Sequence, residues 1–345
     1  MSGKRRIRAV SLFSGAGGMD VGFQKAGFDI IWANDFNRAA CETHAANFGC
    51  GIKCGSIEDF DYVKDIPKCD LVFGGPPCQG FSVAGKMDPN DPRSRLVFEF
   101  QKVVLAKRPR FFVMENVSAL ARLEKFSDVR ERLLEGYVRA GYQVQIQSLD
   151  SQYFCTPQRR ERMIMIGMTD GGESFPFPRP HRKLIPSRSV LEGFDEPGTG
   201  NNQGRCEARI TLAKRPVLRA SAYAGMLFNG LGRPIDLDRP CQTLPASMGG
   251  NKTPFIDTRL LRDPTATNWL EEIHSIAMAG GDISRLTVPA YIRRITVSEA
   301  AALQGFPKTF RFCGSRCEQY RQIGNSVPPP FANCIATEVM KRFRG

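Results

Sequence analysis

Leu71-Val72-Phe73-Gly74-Gly75-Pro76-Pro77-Cys78-Gln79-Gly80-Phe81-Ser82 is a short apolar run that stops abruptly in two glycines and two prolines. The run reads as a buried strand, and the glycines and prolines force the chain out of the sheet. Cys78 is therefore expected on a stiff, exposed loop at the carboxyl end of a strand, where a thiol is a candidate nucleophile. A core cysteine beside a tight turn is the alternative for any lone Gly-Pro-Cys. The remainder of the chain decides against it.

On either side of this run, strand and helix signals alternate. Strands are expected at Ile7–Leu12, Asp29–Ala33, Leu71–Phe73, Arg110–Met114, Tyr142–Leu149 and Arg162–Gly167. A helix should begin near Met19, with Phe23 and Ala26 on its apolar face and Gly27 ending it. Leu96, Phe100, Val103, Val104 and Lys107 mark a second helix. Alternation of this kind predicts an α/β fold with a doubly wound sheet and ligands at the carboxyl ends of its strands.

After the first strand comes Phe13-Ser14-Gly15-Ala16-Gly17-Gly18, whose glycines let backbone approach a ligand closely. Asp35 lies twenty positions after Gly15, at the end of the next strand, where a carboxylate can accept from both ribose hydroxyls. Loop and acid together fit a nucleotide-like cofactor, without separating nicotinamide dinucleotides from adenosyl cofactors. Phe36, directly after the acid, either stacks on an adenine or fills the core; the sequence leaves both open.

The chain has 345 residues, enough for a large domain and a smaller one. No run reaches the length of a membrane span, and Met1–Arg6 lacks a signal peptide's apolar core. Eleven scattered cysteines without a disulfide framework suit a reducing cytosol. The spacings Cys50-x-x-x-Cys54 and Cys313-x-x-x-Cys317 have no histidine nearby, so no metal site is expected. The net charge of +13 favours a polyanionic partner. Between Arg179 and Ala220, nine basic residues face four acidic ones, in a stretch rich in Pro, Gly and Asn. Such a strip is either a solvated surface or a contact for phosphates.

Five motifs occur in one order: Phe13-Ser14-Gly15-Ala16-Gly17-Gly18, Gly75-Pro76-Pro77-Cys78-Gln79, Met114-Glu115-Asn116-Val117, Gln158-Arg159-Arg160-Glu161-Arg162 and Gly324-Asn325-Ser326-Val327-Pro328. That order resembles the cytosine carbon-5 DNA methyltransferases of the prokaryotic restriction-modification type. Arg239-Pro240, Arg293-Arg294-Ile295-Thr296, Glu299-Ala300 and Leu303-Gln304-Gly305-Phe306-Pro307 also resemble family motifs. The resemblance covers nearly the whole chain except roughly residues 180 to 230. It implies a Rossmann-like methyltransferase sheet, S-adenosylmethionine as cofactor and duplex DNA as substrate. It also implies a monomer in the cytoplasm, on DNA, and leaves open whether a cognate restriction endonuclease acts on the same sequence.

The chemistry explains the residue types. Cytosine carbon 5 is a poor nucleophile until a thiolate, here Cys78, adds at carbon 6 and makes an enamine of the ring. Glu115, protonated, is expected to donate to ring nitrogen 3. Arg160 and Arg162 share one face if extended; Arg162 is expected on the cytosine carbonyl oxygen, with Arg160 supporting Glu115 or the backbone. The cofactor is expected to touch Phe13, Ser14, Gly15, Gly17, Gly18, Asp35, Phe36, Ser56, Ile57, Pro76, Asn325, Ser326 and Val327. Ser56 stands where the family usually has an acid for the adenine amine, a contact it can still accept or that Asp59 can supply.

A base inside a duplex cannot enter such a pocket, so the target should be flipped out. The segment from Gln79 to Arg95 reads as a closing loop, with Gln79, Ser82, Lys86 and Arg93 as DNA contacts. By resemblance, residues 1–180 form the catalytic domain, 181–319 a smaller target-recognition domain and hinge, and 320–345 a returning segment, with DNA between the domains. Leu231–Arg239 and Ser247-Met248-Gly249-Gly250-Asn251-Lys252 resemble two recognition loops. Arg239, Ser247, Gly249, Gly250, Asn251 and Lys252 are the expected DNA contacts there. Three rivals stand beside this reading. They are a transfer-RNA methyltransferase, a non-catalytic regulator, which would have lost the cysteine, glutamate or arginines, and an oxidoreductase, which leaves Cys78 and Glu115 unexplained.

Overall fold

Apolar runs buried on both faces build the centre of the protein. In the computed structural model, residues 5–49, 51–77, 95–171 and 174–344 are described. Cys78, Gln79, Ser82, Lys86 and Arg93 lie outside them. The chain divides into two compact units. The first comprises residues 1–154, 160–180 and 327–345, the second 155–159 and 181–326.

The first unit contains β1 (Ile7–Leu12), α1 (Gly18–Lys25), β2 (Phe28–Asp35), α2 (Arg38–Phe48), β3 (Lys53–Cys54) and β4 (Leu71–Gly74). They are followed by α3 (Leu96–Lys107), β5 (Phe111–Val117), α4 (Ser118–Arg122), α5 (Ser127–Arg139), β6 (Gln143–Asp150) and β7 (Glu161–Met168). The strands form one sheet in the order β3-β2-β1-β4-β5-β7-β6. From β3 to β5 every pairing is parallel. The order reverses between β1 and β4, and at such a switch point a crevice opens beyond the strand ends. The Phe13–Gly18 loop and the Gly75–Pro77 turn both leave the sheet there.

β7 runs antiparallel to both β5 and β6. Only the segment 151–160 joins β6 to β7, and a parallel crossover needs a dozen residues or more. Alternation along β5 serves two cores. Phe112 and Met114 point to one face with Val10, Phe100, Val103 and Tyr137. Phe111 and Val113 point to the other, with Phe23 and the C-terminal helix residues Phe331, Ile335 and Val339. This explains why the strands read as continuous apolar runs.

The second unit has two small two-stranded sheets, Phe255–Asp257 with Ile292–Arg294 and Leu212–Val217 with Met226–Phe228. Helices Trp269–Met278, Val297–Gln304 and Arg316–Asn325 accompany them. The chain re-enters the first unit at Val327 rather than at Tyr320. Tyr320 is instead fully buried in the second unit's core, donating its hydroxyl to the Ile295 carbonyl at 2.7 Å.

Gly167 sits opposite Phe112 across β5 and β7. A Cβ there would come 1.9 Å from the Phe112 ring, itself stacked on Tyr137 at 4.1 Å. The ring has nowhere to go. Gly167→Ala is expected to destabilise the protein by about 1–3 kcal/mol through overpacking, read as a lower midpoint in urea unfolding; an unchanged midpoint contradicts this packing.

Candidate active site

The glycine loop is fastened by the acid twenty residues later. Gly15 N donates to Asp35 Oδ2 at 2.8 Å, and Asn37 N donates to Oδ1 at 2.8 Å. Asp35 is thus anchored through both oxygens while each keeps a lone pair for a ligand hydroxyl. Burial pushes its carboxyl above the ordinary value, against the Asn37 and Gly15 amides and nearby His44, which pull it down. Phe36 beside it is 68% exposed, which removes the core reading and leaves a bare ring next to a buried carboxyl.

Loop geometry requires its glycines. Gly17 has φ +92°, and a Cβ on it would stand 2.3 Å from the Phe48 ring. Phe13 itself adopts φ +53°, a strained region for a non-glycine residue, as occurs at ligand clamps. The N-cap of α1 is Gly17, which has no side chain to cap the helix, so its first amides can receive an anionic group.

Beneath the loop runs a buried polar chain that sequence reasoning missed. Ser14 Oγ donates to Ser11 Oγ at 2.8 Å, and Ser11 Oγ donates to Asp20 Oδ2 at 3.1 Å. His44 Nε2 lies 3.1 Å from Asp20 Oδ1, both side chains fully buried. One signal was present: Asp20 falls between Met19 and Phe23, on a helix face that should have been apolar. Asn34 extends the support, donating to the Lys53 and Gly55 carbonyls at 2.9 and 3.0 Å. These bonds and Gly55 N to Asp35 O at 3.0 Å bring the Ser56 turn beside the acid.

At that turn Ser56 Oγ accepts from Glu58 N at 3.4 Å, while Asp59 Oδ2 accepts from Ser56 N at 3.1 Å. Both side chains are committed first to a capping box. The side chain of Ile57 is 2% exposed and packs in the core, where it positions the turn.

Glu115 lies near the end of β5 with its carboxyl buried. Arg162 Nε donates to Glu115 Oε1 at 2.8 Å. Register explains the pair: Glu115 faces Ile164 and Val117 faces Arg162, making acid and arginine diagonal neighbours on one sheet face. The other oxygen turns toward the loop that leads to Cys78, since a Cβ on Gly75 would meet Oε2 at 2.7 Å. Asn116 Nδ2 donates to the Pro76 carbonyl at 3.2 Å and ties that loop to β5. Burial raises the Glu115 carboxyl above its ordinary value, although Arg162 and Arg160 pull it down.

Arg162, not Arg160, makes the direct pair with Glu115, and its Nη1 also donates to the Glu161 carbonyl at 2.7 Å. Arg160 is 3% exposed, with its backbone N donating to Asp150 Oδ1 at 3.0 Å, and acts on Glu115 through its charge.

Asn325 and Ser326 belong to the second unit and Val327 to the first. Ser326 Oγ donates to Gln322 O at 2.7 Å, and its carbonyl accepts from Gln304. Val327 is buried in the sheet's apolar core. Within the second unit, the two expected recognition loops meet: Gly232 N donates to Asn251 O at 3.2 Å. Arg294 stands behind them, donating to the Ala208 and Thr253 carbonyls. The Gly249 amide donates to Thr253 Oγ1 at 2.9 Å, and φ +109° suits only glycine there. Ser247, Asn251 and Lys252 are exposed, and Gly250 is partly exposed. The Arg239 side chain is exposed too, with Asp236 3.7 Å away.

Comparison with known proteins gives a consistent family. The family model described as C-5 cytosine-specific DNA methylase matches residues 7–341. The chain is 33% identical over 342 residues to the Type II methyltransferase M1.HphI of Haemophilus parahaemolyticus, covering 96% of this chain and 86% of that protein. It is 31% identical to the Type II methyltransferase M.XorII of Xanthomonas oryzae, covering 97% and 85%. Among solved structures it resembles the Entamoeba histolytica methyltransferase EhMeth with a TM-score of 0.71 at 16% identity, over 99% of this chain and 100% of that one.

Asp20→Ala removes the acceptor shared by Ser11 and His44 and leaves buried donors without it. A loss of about 1–3 kcal/mol in unfolding free energy is expected, measured by denaturant titration. Stability equal to the parent's would mean the buried chain does not fasten the loop.

Proposed function

Because the chain belongs to the C-5 cytosine-specific DNA methylase family and is a DNA (cytosine-5-)-methyltransferase, we propose that it methylates a flipped-out cytosine in a specific duplex sequence through a covalent adduct at Cys78. The observation that carries this reading is the buried Glu115 carboxyl. One oxygen is held by Arg162, and the other faces Gly75, three residues before Cys78 in the sequence. Cys78 lies outside the described residues, and its role rests on its place in the sequence.

The residues present suit S-adenosylmethionine. A glycine loop backed by Asp35, with the exposed ring of Phe36 beside it, offers backbone, carboxylate and stacking face in one place. When bound, this cofactor supplies an electrophilic methyl group to carbon 5. The protein's own residues do the rest. The Cys78 thiolate forms the bond to carbon 6, and Glu115 passes its Oε2 proton to ring nitrogen 3, so the added charge is neutralised where it develops. Arg162 keeps Glu115 oriented, and its remaining N–H groups are free in number to hold the cytosine carbonyl oxygen. Loss of the carbon 5 proton to solvent, expulsion of the thiolate and return of the nitrogen 3 proton to Glu115 restore the ring and the enzyme.

Residues 181–319 are proposed to choose the sequence, through Arg239, Ser247, Gly249, Gly250, Asn251 and Lys252 on the two joined loops. Gln79, Ser82, Lys86 and Arg93, outside the described residues, are proposed to contact DNA around the target. No helix among the described residues is long and apolar enough to cross a membrane; action on cytoplasmic DNA, as a monomer, follows from the same reading.

Cys78→Ser is expected to keep cofactor and DNA binding and lose several orders of magnitude in methyl transfer, since a serine alkoxide is hard to generate near neutral pH. Duplexes carrying 5-fluorocytosine should trap the parent enzyme, but not the variant, as a denaturant-resistant adduct. Near-normal turnover by the variant would sink the assignment.

The pH profile tests Glu115 separately. Its proton is present below its raised pKa and is lost as pH rises through it, whereas Cys78 needs the opposite. The rate should therefore be bell-shaped. Glu115→Gln is expected to slow transfer by about 100- to 1,000-fold and to abolish the high-pH limb in single-turnover assays. A limb that persists at the same pH belongs to another group.

A further inference from the structure

At the opposite edge of the sheet from Asp35 and Glu115, the first unit holds a cavity of about 550 Å³. It opens at the amino ends of β1 and β5 and the end of the C-terminal helix. β1 is six residues long, so the cavity lies about 20 Å from the strand ends that carry the glycine loop. Arg5, Arg6, Arg110 and Arg344 line it, with Asp70 the single acid among the described residues and Phe343 the aromatic wall.

Two of these arginines are already neutralised. Arg5 donates to Asp70 at 2.7 Å, and Arg110 to Asp170 at 3.1 Å. Arg110 also lies over Phe343, 5.3 Å from the ring centroid, which fixes its plane. Arg6 and Arg344 have no carboxylate partner among the described residues, so the cavity carries uncompensated positive charge. The cations that end the C-terminal helix answer its dipole in part. That accounts for Arg344 and not for Arg6, which arrives from the far end of the chain.

A concave site of this volume is of small-ligand size. Guanidinium groups converging on it suit the oxygens of a phosphate, which they bind in pairs. We propose that this cavity is a second anion site, taking the phosphate of a nucleotide or of a DNA strand. The methyl-transfer residues do not reach it.

Pyrophosphate titrated into the full-length protein at low salt is the direct test, followed by calorimetry. One saturable site is expected, weakened about tenfold or more in Arg6→Gln/Arg344→Gln, as loss of charge-assisted hydrogen bonds requires. Both positions are exposed, and an unchanged thermal transition confirms that the variant is folded. Methylation at saturating duplex should be unaffected. Arg182→Gln/Lys183→Gln, changed elsewhere on the basic surface, should bind pyrophosphate like the parent. Displacement by excess duplex identifies a DNA phosphate as the occupant, and retention identifies a free phosphate ester. Absence of saturable binding, or equal weakening in both double variants, overturns the proposal.

Discussion

The contact between Arg162 Nε and Glu115 Oε1, at 2.8 Å, is the constraint around which this end of the sheet is organised. It forms only because β7 is reversed, which places an arginine two residues before Ile164 diagonally opposite the acid. Without the arginine, a carboxyl this deeply buried would be a pure desolvation penalty. With it, one oxygen is fixed and the other is presented to the loop that follows β4. Burial holding the carboxyl's pKa up, opposed by two guanidinium groups, leaves a group suited to carry a proton into a site.

The cofactor side follows the same economy of one charge serving two purposes. Asp35 orders the glycine loop through Gly15 N and the start of α2 through Asn37 N before any ligand arrives. A loop of this composition would be costly to order on its own, since glycine loses the most conformational freedom. The buried run from Ser14 through Ser11 and Asp20 to His44 makes that ordering part of the fold. A preorganised loop spends less binding free energy on its own immobilisation.

In the second unit, rigidity is supplied by buried ions rather than by a large sheet. Arg293 grips the fully buried Glu299 through two nitrogens at 2.8 and 2.6 Å, and Glu299 also completes the capping box with Thr296. Gln158 is likewise fully buried and accepts from Leu244 N at 3.2 Å. Loops pinned at the backbone in this manner leave Lys252 and Arg239 on the surface with their side chains outward. Conserving the scaffold while varying outward side chains is how one fold can serve many recognition sequences.

The sequence by itself determined the doubly wound architecture, the glycine loop with its acid, the acid near the end of β5 and the family. Each of these is written in local periodicity or in short spacings, which burial enforces residue by residue. Tertiary structure alone decided which of two arginines grips Glu115, that Phe36 is bare while Ile57 is core, and that Asp20 and His44 meet. It also decided that Tyr320 belongs to the second unit's core. Those outcomes depend on partners tens to hundreds of residues apart, such as Asp20 with His44 and Glu115 with Arg162. No local pattern encodes them, because a buried polar group is satisfied by whatever the assembled sheet register brings within hydrogen-bond reach.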